Sequence, residues 1–214
     1  GYTVTEEDRK QFQERLHLAE QALQKAYGIA PKDPRIASNF LIIARGLGYE
    51  RDRMEQWFNV AVKADPRFST AYDEKLEYLK PKWCGDSEGK EMFAFARECA
   101  AHPPEDSRIC FLILKAHSEM SRRWADRHRG SRKEYFHDPE VYREIKSVYE
   151  SYLRHNPESM VDHNGLAWYA LAAQDFQEAV REFQIIGTDI APSCWSEKRF
   201  YISRKEAYEG AGLL

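Results

Sequence analysis

Histidines, cysteines and a cluster of arginines are the residues with which this chain could do chemistry. The seven histidines are His17, His102, His117, His128, His137, His155 and His163. None stands in His-Glu-x-x-His or another spacing that sets two imidazoles around a zinc ion. His155 and His163, with Asp162 nearby, come closest, but Pro157 lies between them and should turn the two rings in different directions. No metal or other cofactor is expected. Cys84, Cys99, Cys110 and Cys194 form no Cys-x-x-Cys pair and read as small buried hydrophobes of a reducing compartment, the cytoplasm. A nucleophile elbow of Gly-x-Ser-x-Gly type is missing, as is a phosphate-cradling Gly-Lys-Ser/Thr loop. Gly46-Leu47-Gly48 is too short for a dinucleotide fingerprint and fits a helix end. Carboxylates are many, but no pair occupies an apolar setting that would split their pKa values for acid–base work. The expectation is therefore a protein with no catalytic residues.

The unusual segment is 121–137. Arg122, Arg123, Arg127, Arg129, Arg132 and Lys133 cluster there, interleaved with Trp124, Tyr135 and Phe136. Guanidinium forks suit carboxylates or phosphates, and the aromatics could anchor a partner. The plainer reading is a solvated helix end whose basic groups suit the helix dipole while Trp124 packs inward. A formal net charge of -3 and a pI of about 6.2 argue against a dedicated nucleic-acid binder.

These residues must be positioned by helices. Strand signals are nearly absent, while apolar stripes at helical spacing run throughout: Leu16, Ala19, Leu23, Ala26; Ile36, Phe40, Ile43, Leu47; Tyr72, Leu76, Leu79; Val141, Ile145, Val148, Tyr152. Thr5 with Asp8 forms a capping box, and Asp33-Pro34 and Asp138-Pro139 place an N-cap before a first-turn proline. The spacing predicts helices over 5–27, 34–47, 51–64, 69–79, 88–101, 106–127, 139–155, 159–173, 176–187 and 195–209. No apolar run approaches the ~20 residues of a membrane span, so no membrane partner is expected. The first residues, Gly1 to Asp8, lack a signal-peptide pattern, and a start at Gly leaves a removed leader open.

Prolines that end helical stripes, Pro31, Pro66, Pro103 or Pro104, Pro157 and Pro192, recur at intervals of 35, 37, 54 and 35 residues when counted through Pro103. A period near 34 with a proline after the second helix is the signature of tetratricopeptide-like repeats. The long interval is one such unit with a basic insertion at 121–137. The best unit runs from Met160 to Pro192: Leu166-Ala167 in the first helix, a Gln174-Asp175-Phe176 turn, then Ala179, Phe183 and Ile186. Small residues there let helices approach closely. The expected architecture is all-α: about ten helices in a single domain, 1–214, stacked as a right-handed α-solenoid. The alternative is a non-repetitive bundle. In such stacks the first helices line a concave groove, facing it with Asp73, Glu77 and Lys80 from one unit and Val161, Asn164, Trp168 and Leu171 from another. An Asn with a Trp could hold an extended peptide there.

Tyr78-Leu79-Lys80-Pro81-Lys82-Trp83-Cys84-Gly85-Asp86-Ser87, followed by Met92-Phe93-Ala94-Phe95-Ala96-Arg97, resembles a bacterial family termed domain of unknown function 4034. Cys84 stands where that family has a first glycine, and Asp86 is an extra residue before Ser87. The resemblance implies a bacterial, repeat-like fold and brings no activity with it. Read physically, Pro81 ends a helix, Gly85 permits a tight turn, Asp86 or Ser87 caps the next helix, and Trp83 plugs the gap between helices or stands exposed as an anchor, the plug being the expectation. Function is then expected to be protein or peptide binding, through the groove or the insertion. Neutralisation of a bacterial toxin as an immunity protein, and nucleic-acid binding through the insertion, are the alternatives.

Overall fold

Thr5 caps the first helix as the spacing requires. Asp8 N–H donates to Thr5 Oγ1 (3.1 Å) and Thr5 N–H to Asp8 Oδ2 (2.9 Å), closing both halves of the capping box. The computed structural model describes residues 4–105 and 107–214, and the described residues form ten α-helices, two 3-10 turns and no strand. The helices are α1 (Glu6–Ile29), α2 (Pro34–Leu47), α3 (Arg51–Ala64), α4 (Ser69–Tyr78), α5 (Lys90–Ala101), α6 (Leu112–His128), α7 (Pro139–His155), α8 (Met160–Ala172), α9 (Phe176–Ile186) and α10 (Glu197–Gly210). None is long and apolar enough to cross a membrane. The reading of Gly1 to Thr3 and the expected helix start at residue 106 lie outside the described residues.

The predicted starts hold where a cap was legible. Asp33 and Asp138 each accept the backbone N–H two residues on, at 2.9 Å, with proline in the first turn. α6 begins later than its apolar pattern suggested. After Pro103-Pro104 the Ser107 N–H and hydroxyl both return to the Pro104 carbonyl (3.2 and 2.7 Å), and a 3-10 turn over Ile109–Phe111 precedes the helix. Several helix ends close through a backbone N–H reaching back five residues, among them Tyr49 to Ala44, Gly130 to Ala125 and Asp175 to Ala170. The left-handed residue this closure needs is Gly48 (φ 65°), Arg129 (φ 53°) and Gln174 (φ 63°), respectively.

The chain forms two compact units, 1–116 and 117–214, dividing within α6. In the first, α2 is central and packs on α1, α3 and α4. Phe40 stacks on Trp57 at 3.9 Å, and Tyr27 meets the Trp57 ring edge-on. Phe58, Tyr72 and Phe95 surround the buried Lys75, whose ammonium lies 4.2 and 4.5 Å from the Phe58 and Phe95 rings and 2.6 Å from Glu55. A lysine is tolerated there because ring faces and a carboxylate replace its water.

In the second unit α8 is central, held by α7 and α9, with α10 on α9. Its core gathers Ala167, Leu171, Val180, Phe183, Ile186, Trp195 and Phe200. Full burial of each large side chain contributes roughly 1.5–3 kcal/mol. The 3-10 turn over Glu134–His137 packs on α7 and α8, inserting Phe136 against Trp168 and Tyr169 at 5.8 and 5.2 Å.

Candidate functional site

α4 stops because Pro81 has no N–H to continue it. The chain then curls tightly: Trp83 N–H donates to the Lys80 carbonyl (2.9 Å), Cys84 N–H to that of Tyr78 (3.2 Å) and Gly85 N–H to that of Lys80 (3.3 Å). A side chain at Gly85 would collide with the Leu79 carbonyl, so only glycine closes this turn. The curl throws Trp83 outward. The expected plug between helices is thus corrected: the side chain is 45% exposed. It is nevertheless held. The indole Nε1–H donates to Glu77 Oε1 at 3.1 Å, and the Arg45 guanidinium and Lys82 ammonium lie 5.5 and 5.7 Å from its ring centre, within cation–π range.

Glu77 is the hub. It receives Lys80, Lys82 (2.9 Å) and Trp83 together. Burial alone would raise its carboxyl, but the three donors outweigh burial and hold it down at about 2. Beside it lies a recess of 390 Å³ lined by Arg45 from α2, Asp73, Glu74, Leu76 and Glu77 from α4, Lys80, and Lys115 from α6. Arg45 pairs with Glu74 at 2.6 Å and Lys115 with Asp73 at 2.5 Å. The recess is neutral as a whole, polar on its walls and edged by one exposed aromatic ring. Asp73, Glu77 and Lys80, expected on one surface, are together on it. Trp83, Lys82, Arg45, Glu74 and Lys115 are additions; the run Lys82-Trp83 beside a helix-ending proline was the available signal.

The α8 residues are placed differently. Asn164 is fully buried: its amide donates to the Met160 and Asp189 carbonyls (2.8 and 3.0 Å) and its oxygen accepts the Ala191 N–H (3.2 Å). Leu171 is in the core, and Trp168 is half-buried against it and Phe136. Asn164 and Leu171 therefore present no side chain to a partner; the amide ties the 189–191 loop to α8 instead. The reason is the central position of α8, which covers almost every side of the helix.

In the basic segment, Arg122 pairs with Glu119 at 2.6 Å, and Arg132 braces the turn to α6 through Ser121 Oγ (3.3 Å) and the Ser118 hydroxyl and carbonyl (3.1 and 3.3 Å). Arg123 and Lys133 are half-buried, whereas Arg127 and Arg129 are exposed. Trp124 is half-buried and stacks on His128 at 4.5 Å.

A second recess, 600 Å³, lies over α7, α8 and α9, with Leu153, Leu166 and Ile185 on its walls and the buried His163 and Glu182 lining it. His163 Nδ1 is 2.6 Å from Glu182 Oε2, and its Nε2 is 3.0 Å from the Pro157 carbonyl. Both ring nitrogens are engaged by these partners. Neither nitrogen is left to act as a base. His155 is exposed and bonds the Ser151 carbonyl, and Asp162 accepts the Ser159 hydroxyl, so the two rings do diverge as expected. Among the described residues no group of three His, Cys, Asp or Glu side chains could hold a metal ion, and the four cysteines are free thiols. No protein-family model, curated protein or solved structure matches the chain.

Proposed function

We propose that the chain is a non-catalytic, tetratricopeptide-like interaction module, its helix pairs stacked as a right-handed solenoid, that binds a protein or peptide partner through the surface around Trp83. Support for paired stacking lies within each unit: α2 packs on its hairpin partner α3 and on α4, the first helix of the next pair, and α8 packs on α9. The proline period and the left-handed Gln174 in the turn of the best repeat agree with it. The resemblance of 78–97 to the domain of unknown function 4034 family belongs to the same reading.

The observation that carries the binding role is the exposed Trp83 ring, fixed by Glu77 beside an ion-paired recess. An aromatic ring that is already immobilised loses little conformational entropy on binding, and such rings dominate interface energetics. A bacterial toxin neutralised by this protein is one form such a partner takes.

The test is affinity capture from extract of the source cells with wild type beside Trp83→Ala, followed by titration of the captured partner after purification. A stoichiometric partner whose Kd rises about 30-fold in Trp83→Ala, the size of a hot-spot residue, is expected. Equal affinity for both proteins would remove Trp83 from the interface and with it the reading.

A further inference from the structure

We infer that the C-terminal tip of α6 and the turn after it form a second binding site, an anion-binding knuckle in which Arg127 and Arg129 receive an acidic segment of a protein partner. The site shares no residue with the Trp83 surface and stands or falls separately from it.

The first observation is backbone conformation. Arg129 sits at φ 53°, in the left-handed region that glycine occupies at little cost and a long side chain only with strain. Gly130 follows immediately, so the sequence supplies its glycine one position after the place where the conformation calls for it. The strained position holds a guanidinium instead, at the C-terminal tip of the helix, next to exposed Arg127 and His128.

The second observation is what these groups lack. Arg122 has Glu119 and Arg132 has two serines, but among the described residues neither Arg127 nor Arg129 meets a carboxylate. They are solvent-exposed forks of the kind that take a carboxylate by two parallel hydrogen bonds.

The third is rigidity. His128 Nδ1 lies 2.8 Å from the Trp124 carbonyl and its ring stacks on the indole. Arg132 braces the turn, Glu134 accepts the Ser131 N–H at 3.1 Å, and Phe136 is buried against Trp168 and Tyr169. These contacts hold the turn that carries the two arginines, which lowers the backbone part of the ordering cost of binding.

Side-chain carboxylates fit better than a nucleic acid. The Trp124 indole is stacked on by His128 and crowded by Gly130, where an added side-chain carbon would come within 3.0 Å of the ring, so it is a poor platform for a base to stack on. Asp126 is exposed in the same turn and Glu134 lies beside Gly130, charges that oppose a continuous phosphate backbone but leave room for discrete side-chain carboxylates.

The experiment is fluorescence anisotropy with a fluorescein-labelled ten-residue peptide of alternating Glu and Ala, beside fluorescein-labelled dT10, using wild type, Arg127→Ala, Arg129→Gly and Trp83→Ala. The peptide is expected to bind wild type and Trp83→Ala alike and to lose at least tenfold in affinity with each arginine variant. Arg129→Gly also relieves the left-handed strain, so its Tm should rise by about 2–4 °C while its affinity falls. A higher Tm with unchanged affinity, a lower Tm, tighter binding of dT10 than of the peptide, or no peptide binding by wild type would each overturn the proposal.

Discussion

Glu77 accepts three donors, and that concentration gives it a measurable signature. Its carboxyl is depressed from 4.5 to about 2, so its contribution to stability is full above the unfolded value and is lost as pH falls from about 4.5 through about 2. After allowance for solvent screening, Glu77→Gln should cost about 1–2 kcal/mol at pH 7, and the gap to wild type should close by pH 2, as read from urea midpoints across that range. Gly85→Ala tests the turn itself: forcing a side chain against the Leu79 carbonyl should cost about 1–3 kcal/mol in the same measurement. An alanine accommodated there at no cost would show that the curl presenting Trp83 is not fixed by its glycine. The sequence displayed both residues but not their consequence. Apolar spacing says which side chains share a stripe, not where a six-residue turn sends an indole, and Trp83 was therefore expected inside. For Asn164 and Leu171 a better signal was present. Leu166, Ala167, Trp168, Tyr169, Ala170 and Leu171 are apolar around the whole of α8, the mark of a helix covered on every side rather than of one lining a groove.

Helices were the most legible part because their ends carry local chemistry. Thr5 with Asp8, Asp33-Pro34 and Asp138-Pro139 fix three starts through bonds spanning two or three residues, a range that sequence spacing reads directly. α5 shows where that range ends. Gly89 stands at its N-cap without a side-chain bond, and Asp86, three residues earlier, accepts the Glu91 and Glu88 N–H groups at 2.8 and 3.0 Å. Asp86 was a candidate cap, but reaching the helix across a turn depends on the fold of that turn. α10 exposes a different mismatch between sequence and packing. Among the described residues the buried Ser203 hydroxyl, and the buried Trp195 indole N–H just before the helix, have no hydrogen-bond partner. A hydroxyl buried without a partner keeps the desolvation penalty and gains nothing in return, so Ser203→Ala should stabilise the protein by up to about 1 kcal/mol, against the usual direction of core truncation. A loss of stability in thermal melts of this variant would mean that the hydroxyl is satisfied, most simply by a bound water.

Among the described residues the carboxyls with a clear shift divide by sign, and the division sets how stability responds to pH. Five lie below their ordinary values. Hydrogen bonds lower Asp8 (from Thr5), Asp33 (from Arg35) and Asp86 (from the Glu91 backbone). Asp175 and Glu77 are lowered against the opposing effect of burial, Asp175 by the Glu178 N–H, Lys146 and Tyr142. Each contributes stability that is present above its unfolded pKa and disappears as the carboxyl is protonated, so Tm should fall as pH is taken from about 5 to 2. Glu182 runs the other way. Burial raises its carboxyl, and the bond to His163 offsets this only in part. A raised carboxyl contributes stability that is full below its unfolded value, near 4.5, and is lost as pH rises through the higher folded one. The geometry gives the reason: Glu182 is almost fully buried against His163, whose other nitrogen is taken up by the Pro157 carbonyl, and burial disfavours the charged carboxylate. Tyr142, Lys146, Asp175, Glu178 and Arg181 continue this polar seam along α7 and α9, with Lys146 between Asp175 and Glu178 at 3.1 and 2.9 Å. Glu182→Gln removes the titrating group but leaves a side chain of the same length against His163. The variant should be less sensitive than wild type to a rise from pH 5 to pH 8, while the acid limb set by the five lowered carboxyls stays unchanged. Thermal melts of both proteins across that range separate the two effects, because a variant whose alkaline slope matched wild type would place the pH response in some group other than the buried pair.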